Sequence, residues 1–457
     1  MMEQPAADTP SDPVPLASSG AAPLTGRFPT PGDKATSHRA LAIAALTVGQ
    51  TTIEGLLEAE DVAATIAALR QLGVRIESEG ARCEVHGLGV LGLLPPQAPL
   101  HLGNSGTGLR LLLGMLAPYD FPVTFDGGPT LARRPLRPLI DALAPIGFAS
   151  EETQDGHLPV TRCGPALPRP FHHVMAASSD QIKGALLLAA AQIAGTSTIV
   201  EPVATSDATE RLLADFGAAI STVPDERGGS TITISGLAEL RPHHVIVPGD
   251  PSSAGYAIVG ALTVPGSDLV VENVLINPSR TGLIDTLLHM GGDIQFTNQR
   301  EIGGEPVADL RVRSSRLKGI HVGAEHAAAM LDDIPVLAMA AAYAHGATVV
   351  EGLADLRLQE CDRLAATAAG LAANRVTVAE GDTTLTIGGG EGRVDGGGLV
   401  QSRSDHRIAM SFLVLGLASK QRVTVDDTRP IAASFPGFVA GMTAAGARFE
   451  TVKAKRL

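Results

Sequence analysis

An internal repeat constrains the fold of this chain more than any other feature. Each unit begins with a short extended segment, passes through a polar or glycine-containing turn, and enters a helix rich in alanine and leucine. Such repetition indicates that one supersecondary unit has been used several times. The segments that fit are residues 27–49, 100–117, 172–195, 244–266, 321–346 and 399–419.

A second element follows most of these segments. In it a β-branched strand ends at an acidic residue and leads through a loop into a helix closed by a Gly-Ala or Gly-Val turn, so a whole unit takes roughly 70–80 residues. The acidic residues are Glu54, Glu201, Glu272, Glu351 and Asp426. Strands that alternate with helices predict parallel pairing within each unit, and therefore an α/β fold.

A repeat can also form an open solenoid, in which each unit contacts only its neighbours. Here the units are long, and their charged loops differ in chemistry from one unit to the next. These differences favour a closed arrangement of the units around a shared site.

Charge and composition restrict the class of partner. The formal net charge of −13 argues against nucleic acid or an anionic membrane as the main partner. Apolar runs such as residues 185–193 are too short to span a bilayer, and the three cysteines, Cys83, Cys163 and Cys361, lack metal-ligand spacing. Residues 1–25 do not have the pattern of a signal peptide, and we expect them to be a disordered tail of a cytoplasmic protein.

Cationic and hydroxyl side chains lie in the turns before the helices. In PGDKATSHR, residues 31–39, Lys34 and Arg39 lie in the first turns of a predicted helix. A helix N-terminus already presents free N–H groups and a partial positive charge. One such turn alone can be an ordinary solvated helix start. If all six N-termini converge on one cleft, however, the cleft favours phosphates and carboxylates.

Several motifs follow one another along the chain between residues 31 and 412. They are PGDKATSHR, GNSGTGLR, ARRP, SSDQIKGALLLA, GDPSSA, LQECDRL and DHRIAMSF. In content and order they resemble the motifs of the 5-enolpyruvylshikimate-3-phosphate synthases, which are enolpyruvyltransferases. The resemblance covers nearly the whole chain after the tail.

This resemblance implies a two-domain enolpyruvyltransferase fold with six βαβαββ repeats, three in each domain. One domain would comprise residues 26–32 plus 251–457 and the other residues 33–250, with the active site in the cleft between them. The implied reaction transfers the enolpyruvyl group of phosphoenolpyruvate to the 5-hydroxyl of shikimate 3-phosphate and releases phosphate, on the shikimate pathway to chorismate and the aromatic amino acids. The resemblance implies no metal or organic cofactor, and we expect a monomer whose partners are these two small molecules.

The resemblance also implies roles for individual residues. Asp332 would take the proton from the attacking hydroxyl, and Glu360 would help to protonate the methylene carbon. The residues implied for shikimate 3-phosphate are Lys34, Ala35, Arg39, Ser179, Gln181, Asp332 and Gln359. Those implied for phosphoenolpyruvate are Lys34, Asn104, Gly106, Arg134, Gln181, Arg363 and Arg407. Taken singly, each arginine could form a surface salt bridge instead, and Asp332 could be a helix N-cap.

Four positions depart from the pattern that the resemblance implies. Ala35 stands in place of a serine, Ser206 in place of an arginine, and Gln359 in place of a lysine, while Asp180 adds a carboxylate beside the expected phosphate pocket. Either Ser178 or Ser179 can be the matching serine.

Because these departures fall in the expected site, two alternatives stay open. One is a diverged enolpyruvyltransferase that acts on another anionic, hydroxylated acceptor. The other is a protein that binds small anions without turnover.

Overall fold

The computed structural model describes residues 12–152, 156–163 and 168–452, and within them strands and helices alternate as the repeat predicts. The strands are β1 (Leu16–Ser19), β2 (Thr25–Pro29), β3 (Val48–Glu54), β4 (Arg75–Glu79), β5 (Arg82–Leu88), β6 (Leu100–His101), β7 (Val123–Asp126), β8 (Ala149–Glu152), β9 (Val160–Cys163), β10 (His172–Val174), β11 (Thr196–Glu201), β12 (Ala219–Pro224), β13 (Ser230–Ser235), β14 (His244–Ile246), β15 (Asp268–Leu275), β16 (Asp293–Ile302), β17 (Glu305–Arg313), β18 (His321–Val322), β19 (Thr348–Val350), β20 (Val378–Glu380), β21 (Leu385–Ile387), β22 (Leu399–Val400), β23 (Val423–Val425) and β24 (Arg448–Thr451).

The α-helices are α1 (Lys34–Ala45), α2 (Glu60–Gln71), α3 (Gly106–Leu116), α4 (Pro129–Ala132), α5 (Arg137–Leu143), α6 (Asp180–Ala190), α7 (Ala208–Asp215), α8 (Pro251–Thr263), α9 (Gly282–His289), α10 (Ala324–Ala328), α11 (Ile334–Tyr343), α12 (Arg363–Ala373), α13 (His406–Leu415) and α14 (Phe438–Ala445). Short 3-10 helices cover Ala144–Ile146, Leu331–Asp333, Ala354–Leu358 and Arg429–Ala433.

The strands form six four-stranded sheets that share one topology. In each sheet two parallel strands lie beside an antiparallel pair, as a βαβαββ unit requires. The sheet orders are β14-β3-β5-β4, β6-β7-β9-β8, β10-β11-β13-β12, β16-β17-β15-β2, β18-β19-β21-β20 and β22-β23-β1-β24. The predicted α/β class and the six repeats are therefore confirmed.

The apolar side chains form two separate cores. One contains buried residues between Ala40 and Val247, and the other contains Leu16, Leu24, Phe28 and buried residues between Ala254 and Ala447. The predicted domain division, at residues 32/33 and 250/251, follows the same partition. We keep that division as a proposal, and the two cores support it.

The first helix of each unit is buried among the sheets. In the second core α11 packs on α8 and α13, and all of its residues are buried. In the first core α3 packs closely on α6, where a Cβ at Gly114 would overlap the backbone of Ala185. Helices that are apolar on every side are typical of such interior positions. Their N-termini therefore point out of a packed core.

Part of the predicted N-terminal tail is ordered, so the prediction for residues 1–25 is wrong for its second half. Strand β1 pairs antiparallel with both β23 and β24, and it fills the position between them. Leu16 and Ala17 are buried there. Residues 1–11 lie outside the described residues. The short apolar segment is stable because strands from more than 400 positions away flank it on both sides.

Two units exchange their first strands where the chain crosses between the cores. Strand β2 pairs with β15, although α1 follows it, and β14 pairs with β3, although α8 follows it. The crossing segments carry the same three residues, Pro-Gly-Asp, at positions 31–33 and 248–250. They run antiparallel: the N–H of Asp33 donates to the carbonyl of Pro248 at 2.7 Å, and the N–H of Asp250 donates to the carbonyl of Pro31 at 2.8 Å.

Glycine is required in both crossing segments. A Cβ at Gly32 would overlap the carbonyl oxygen of Gly55, and a Cβ at Gly249 would overlap that of Asn273. Each backbone therefore passes directly against another chain segment, which only glycine permits.

Arg280 joins the two aspartates of the crossing. Asp33 caps α1 through the N–H of Thr36, and Asp250 caps α8 through the N–H of Ser252. Arg280 Nη2 lies 3.0 Å from Asp33 Oδ2 and 3.4 Å from Asp250 Oδ1. One guanidinium therefore bridges two buried carboxylates that start the first helices of both cores, and its single positive charge offsets only one of them.

None of the helices within residues 12–152, 156–163 and 168–452 is long and apolar enough to cross a bilayer.

We predict that Asp250→Asn stabilises the protein at neutral pH more than at acidic pH. Burial, together with the charge of Asp33, raises the pKa of Asp250 from 3.8 to about 6. A carboxyl whose pKa is raised on folding contributes stability below its unfolded pKa, and this contribution is lost as the pH rises through the folded pKa. Asparagine caps equally well and does not titrate. The free energy of unfolding of the variant, relative to the parent, should rise by roughly 1–3 kcal/mol between about pH 4 and about pH 7.

The measurement is urea denaturation followed by circular dichroism, because the chain has no tryptophan. Asp141→Asn, which removes an exposed carboxylate on α5, is the matched control. A difference between Asp250→Asn and the parent that stays constant with pH would contradict the prediction.

Candidate active site

Arg363, the first residue of α12, is the centre of a cluster of charges. Its side chain is 1% exposed. Its Nε donates to Asp405 Oδ2 at 2.7 Å and its Nη1 to Asp332 Oδ1 at 2.8 Å, while Nη2 binds Glu360. Burial opposes the charge, but the three carboxylates raise the pKa of Arg363 well above its ordinary value. The buried cation is stable only because these anions surround it.

Asp332 lies between two arginines at the edge of the cluster. Besides Arg363, it meets Arg407, whose Nη2 donates to Asp332 Oδ2 at 3.3 Å and whose Nη1 donates to Asp333 Oδ1 at 3.1 Å. Although the surrounding protein desolvates the carboxyl, Arg407 and Arg363 hold the pKa of Asp332 well below its ordinary value. Because its side chain bonds to arginines, Asp332 is not the N-cap that its position also allowed.

Glu360 links the cluster to the other core. One carboxylate oxygen binds Arg363, and the other lies 3.5 Å from Nη1 of Arg134, which precedes α5. Arg134 Nη2 also donates to Gln359 Oε1 at 3.1 Å. Burial acts to raise the pKa of Glu360, but Arg363 and Arg134 lower it well below the ordinary value. The two halves of the chain therefore meet at this carboxylate.

Two arginines converge over the start of α3. A Cβ added at Gly106 would overlap Nη1 of Arg134 and lie 3.0 Å from Nη1 of Arg110. Arg110 donates to the carbonyl of Gly106 at 3.2 Å. Burial and the charge of Arg134 lower the pKa of Arg110 to about 9. Two cations at a helix N-terminus form a place where an anionic ligand is stabilised.

Asn104 supports the neighbouring loop. Its Oδ1 accepts from the N–H of Leu131 at 3.4 Å and packs against Gly128. The contact fixes α4, which ends two residues before Arg134. Asn104 thus positions Arg134 indirectly, through the short segment between them.

Lys34 and His38 project from the first two turns of α1. Lys34 binds Asp61 of α2, and Lys34 also contributes to the low pKa of Glu360. His38 bonds to Thr65 Oγ1 at 2.9 Å and to Ser105 Oγ at 3.4 Å, and burial lowers its pKa to about 3. The histidine is therefore neutral at physiological pH, and it ties together the N-termini of α1 and α3.

Arg39 is buried beneath the N-terminus of α6. Its Nε donates to Thr209 Oγ1 at 2.7 Å, and its Nη1 donates to the carbonyl of Ala35 at 3.1 Å. Its Nη2 lies 2.9 Å from Oδ2 of Asp180, one of the residues that departs from the expected pattern. In this structure the Asp180 carboxylate forms an ion pair with the Arg39 guanidinium.

Both serines of the SSDQ turn bond to backbone groups. Ser178 Oγ donates to the carbonyl of Val203 at 2.6 Å, while Ser179 caps α6 through the N–H of Ile182 at 3.4 Å. Gln181 Nε2 donates to Thr107 Oγ1 at 3.3 Å, which joins the starts of α6 and α3. Ser179 and Gln181 therefore both lie at the same helix start as Asp180.

The sequence assigned no individual role to some charged residues of the site. They are Asp61, Arg110, Lys183, Arg280 and Asp405. Arg110, Lys183 and Asp405 did have local signals, because they lie in the turns and first turns of helices within the motifs GNSGTGLR, SSDQIKGALLLA and DHRIAMSF. Asp61 and Arg280 had none, since their partners lie 27 or more positions away in sequence.

The cluster has one general chemical property. Four of its arginines, Arg39, Arg134, Arg363 and Arg407, are held by carboxylates of the chain, on both sides of the crossing. A ligand with several negative charges can take over these arginines and release carboxylates that then accept protons. Buried arginines are not surface salt bridges, so that alternative is wrong for Arg39, Arg134 and Arg363.

Comparison with known proteins gives a consistent result over nearly the whole chain. A model of the family described as EPSP synthase (3-phosphoshikimate 1-carboxyvinyltransferase) matches residues 19–442. The 3-phosphoshikimate 1-carboxyvinyltransferase of Methylorubrum extorquens is 48% identical over 445 residues, which cover 96% of this chain and 98% of that protein. The enzyme of the same name from Parvibaculum lavamentivorans is 49% identical over 427 residues, which cover 93% and 95% of the two chains.

Solved structures show the same similarity. An EPSP synthase from Acinetobacter baumannii superposes with a TM-score of 0.84 at 36% identity, covering 96% of this chain and all of that one. The enolpyruvyl transferase NikO from Streptomyces tendae superposes with a TM-score of 0.76 at 20% identity, covering 97% of this chain and all of that one. At that identity NikO shows a likeness of fold alone.

We predict that Gly106→Ala weakens anion binding at the start of α3. The added methyl group displaces the Arg134 guanidinium from Gln359 and Glu360 and crowds Arg110. The thermal stabilisation by inorganic phosphate should fall, with an apparent Kd raised about tenfold, as expected when one charge-assisted contact is lost. Gly323→Ala is the matched control, since a Cβ there meets open space. Equal phosphate stabilisation of Gly106→Ala and the parent would contradict this placement of Arg134.

Proposed function

The chain belongs to the EPSP synthase family, and on that premise we propose which of its side chains carry the reaction. It is a 3-phosphoshikimate 1-carboxyvinyltransferase of the shikimate pathway. It transfers the enolpyruvyl group of phosphoenolpyruvate to the 5-hydroxyl of shikimate 3-phosphate and releases phosphate. The observation that carries the assignment of residues is the charge cluster in which Arg363 gathers three carboxylates and Arg134 reaches Glu360 from the other core.

Phosphoenolpyruvate fits the arginine side of this cluster. Its phosphate and carboxylate suit the forked guanidinium groups of Arg134, Arg363 and Arg407. Gly106 leaves room above Arg134, and Asn104 holds the loop that leads to it. We place Lys34 and Gln181 at the boundary of the two substrates, because both project from helix starts on the opposite side of the cleft from Arg363.

Asp332 is the proposed general base. In the ligand-free protein its two arginines make it a weak base, since they stabilise the ionised form. Phosphoenolpyruvate shares those arginines when it binds, so the pKa of Asp332 rises toward its ordinary range. Substrate binding itself then prepares this carboxylate to accept the proton of the 5-hydroxyl.

Glu360 is the proposed general acid. The same argument applies, because Arg134 and Arg363 lower its pKa and both are expected to bind substrate anions. Once the substrate anions share these arginines, the pKa of Glu360 rises and it takes up a proton from solvent. As the 5-oxygen bonds to C2 of phosphoenolpyruvate, the methylene carbon takes that proton from Glu360. The resulting methyl group then returns a proton to the Glu360 carboxylate as the C–O bond to phosphate breaks, which restores the double bond, and the departing phosphate takes the proton held by Asp332.

Shikimate 3-phosphate is placed against the starts of α1 and α6. Lys34, Ala35, Arg39, Ser179 and Gln181 line that side, and Gln359 and Asp332 approach from the other core. The contacts of Arg39 and Gln181 with the neighbouring helix starts support this placement.

We further propose that residues 26–32 plus 251–457 and residues 33–250 are two domains with the substrates between them. The crossing at Gly32 and Gly249 supports a movement of these parts about one connection. Both sides of the cluster come from a single chain, which supports a monomeric enzyme. We expect it to work in the cytoplasm.

The decisive test is phosphate release from phosphoenolpyruvate with and without shikimate 3-phosphate. Release should require both substrates. Glu360→Gln and Asp332→Asn should each lower kcat by about 10²- to 10⁴-fold, because a positioned acid or base contributes about that factor. The Michaelis constant for phosphoenolpyruvate should not rise, because each change removes a carboxylate that competes for the same arginines. Glu325→Gln, an exposed change in α10, is the control. Full activity of both site variants would remove these two assignments.

Gln359 permits a second test of the acceptor side. Its amide accepts from Arg134 and donates to the carbonyl of Asp355 at 3.2 Å, so it positions Arg134 without adding charge. Gln359→Lys adds a cation and should raise kcat/KM for shikimate 3-phosphate about tenfold, the value of one charge-assisted contact. Gln359→Met frees Arg134 without adding charge and separates the two effects. A loss of activity in Gln359→Lys would show that holding Arg134 matters more than the cation.

A further inference from the structure

The guanidinium of Arg39 is enclosed on three sides by the chain. Its side chain is 1% exposed. Its Nε donates to the hydroxyl of Thr209, and its Nη1 donates to the carbonyl of Ala35. Its Nη2 donates to both the carboxylate and the carbonyl oxygen of Asp180. A fork of five donors binds a carboxylate best along one edge through two parallel bonds. Asp180 lies on an edge of the guanidinium that a ligand carboxylate would use for two such bonds.

Two neighbouring lysines do not relieve this competition, because carboxylates of the chain already bind them. Lys34 binds Asp61. Lys183, one turn after Asp180 on α6, lies 3.0 Å from Glu201 and 2.8 Å from Glu210. The charge of Asp180 also acts on Arg110 and Arg280, but its ion pair within the described residues is with Arg39.

The Asp180 side chain has room to leave. It is the first residue of α6, and its side chain is 35% exposed, in contrast to the buried arginine it binds. A carboxylate at a helix N-terminus is also stabilised by the helix dipole in other rotamers. An incoming anion can therefore displace it outward without unfolding the helix.

We propose that Asp180 is a specificity-determining residue of the acceptor site, which competes with the acceptor carboxylate for Arg39. The inference rests on the proposed placement of the acceptor against α1 and α6. Acceptors with an anionic group facing Arg39 must displace Asp180, whereas acceptors with a neutral group there leave the ion pair intact. The preference of the site for an anionic over a neutral acceptor is therefore smaller than it would be if Arg39 had no carboxylate partner.

The test compares two ligands across four proteins. Calorimetry at low ionic strength gives the Kd of shikimate 3-phosphate and of its carboxyl methyl ester for the parent, Asp180→Ala, Asp180→Asn and Asp141→Asn. Asp180→Asn keeps the size and the polar character at the helix start, and Asp141→Asn makes the same charge change on the surface of α5. Phosphoenolpyruvate, which does not face Arg39, is titrated into each protein as a reference.

Both Asp180 variants should bind shikimate 3-phosphate about tenfold more tightly, as expected when a competing charge-assisted bond is removed. The Kd of the methyl ester should change much less, so the ratio of the two Kd values shifts, while Asp141→Asn and phosphoenolpyruvate show no shift. An unchanged ratio in the Asp180 variants, or no binding of shikimate 3-phosphate by any of the four proteins, would overturn the proposal. Lack of phosphate release by a parent protein that still shows the shifted ratio would instead count against the proposed function alone.

Discussion

The rest of the structure depends on the antiparallel crossing of residues 31–33 and 248–250. Each crossing segment ends a strand of one sheet and starts a helix that packs on the other core. Two glycines allow the backbones to pass, and Arg280 bridges the two aspartate caps that result. Because Lys34 directly follows one of these caps, the same few residues that connect the cores also set where the cleft begins.

The cleft itself follows from the cost of burying charge. In a protein with a net charge of −13, Arg39, Arg134, Arg363 and Arg407 each have a carboxylate partner in this region. Removal of one partner from a buried pair is far more costly than exchange for another anion. The carboxylates of the chain thus occupy guanidinium groups that we propose for the anionic substrates. The same contacts hold Asp332 and Glu360 as weak bases.

The sequence predicted the parts of the structure that local pattern determines. The six strand–turn–helix segments and most of the acidic strand ends could be predicted, because each depends on residues within one unit. Glu272 is the exception, since β15 continues past it to Leu275. The tail prediction failed at β1, since four residues carry too little pattern to indicate a strand whose partners follow residue 422. Arg39 was expected at the acceptor side, but its pairing with Asp180, 141 positions away, depends on tertiary packing. Arg280 lies in an irregular loop between β15 and α9, and its contacts with Asp33 and Asp250 form only because the two crossing segments come together there.

The position of β1 has a consequence for synthesis of the chain. It lies between β23 and β24, so its sheet cannot close until residues 423–451 have left the ribosome. Residues 33–250 hold a complete core of their own and can pack earlier. The nascent protein must therefore keep β1 unpaired until those residues emerge, and that half of the molecule is completed by joining segments more than 400 positions apart.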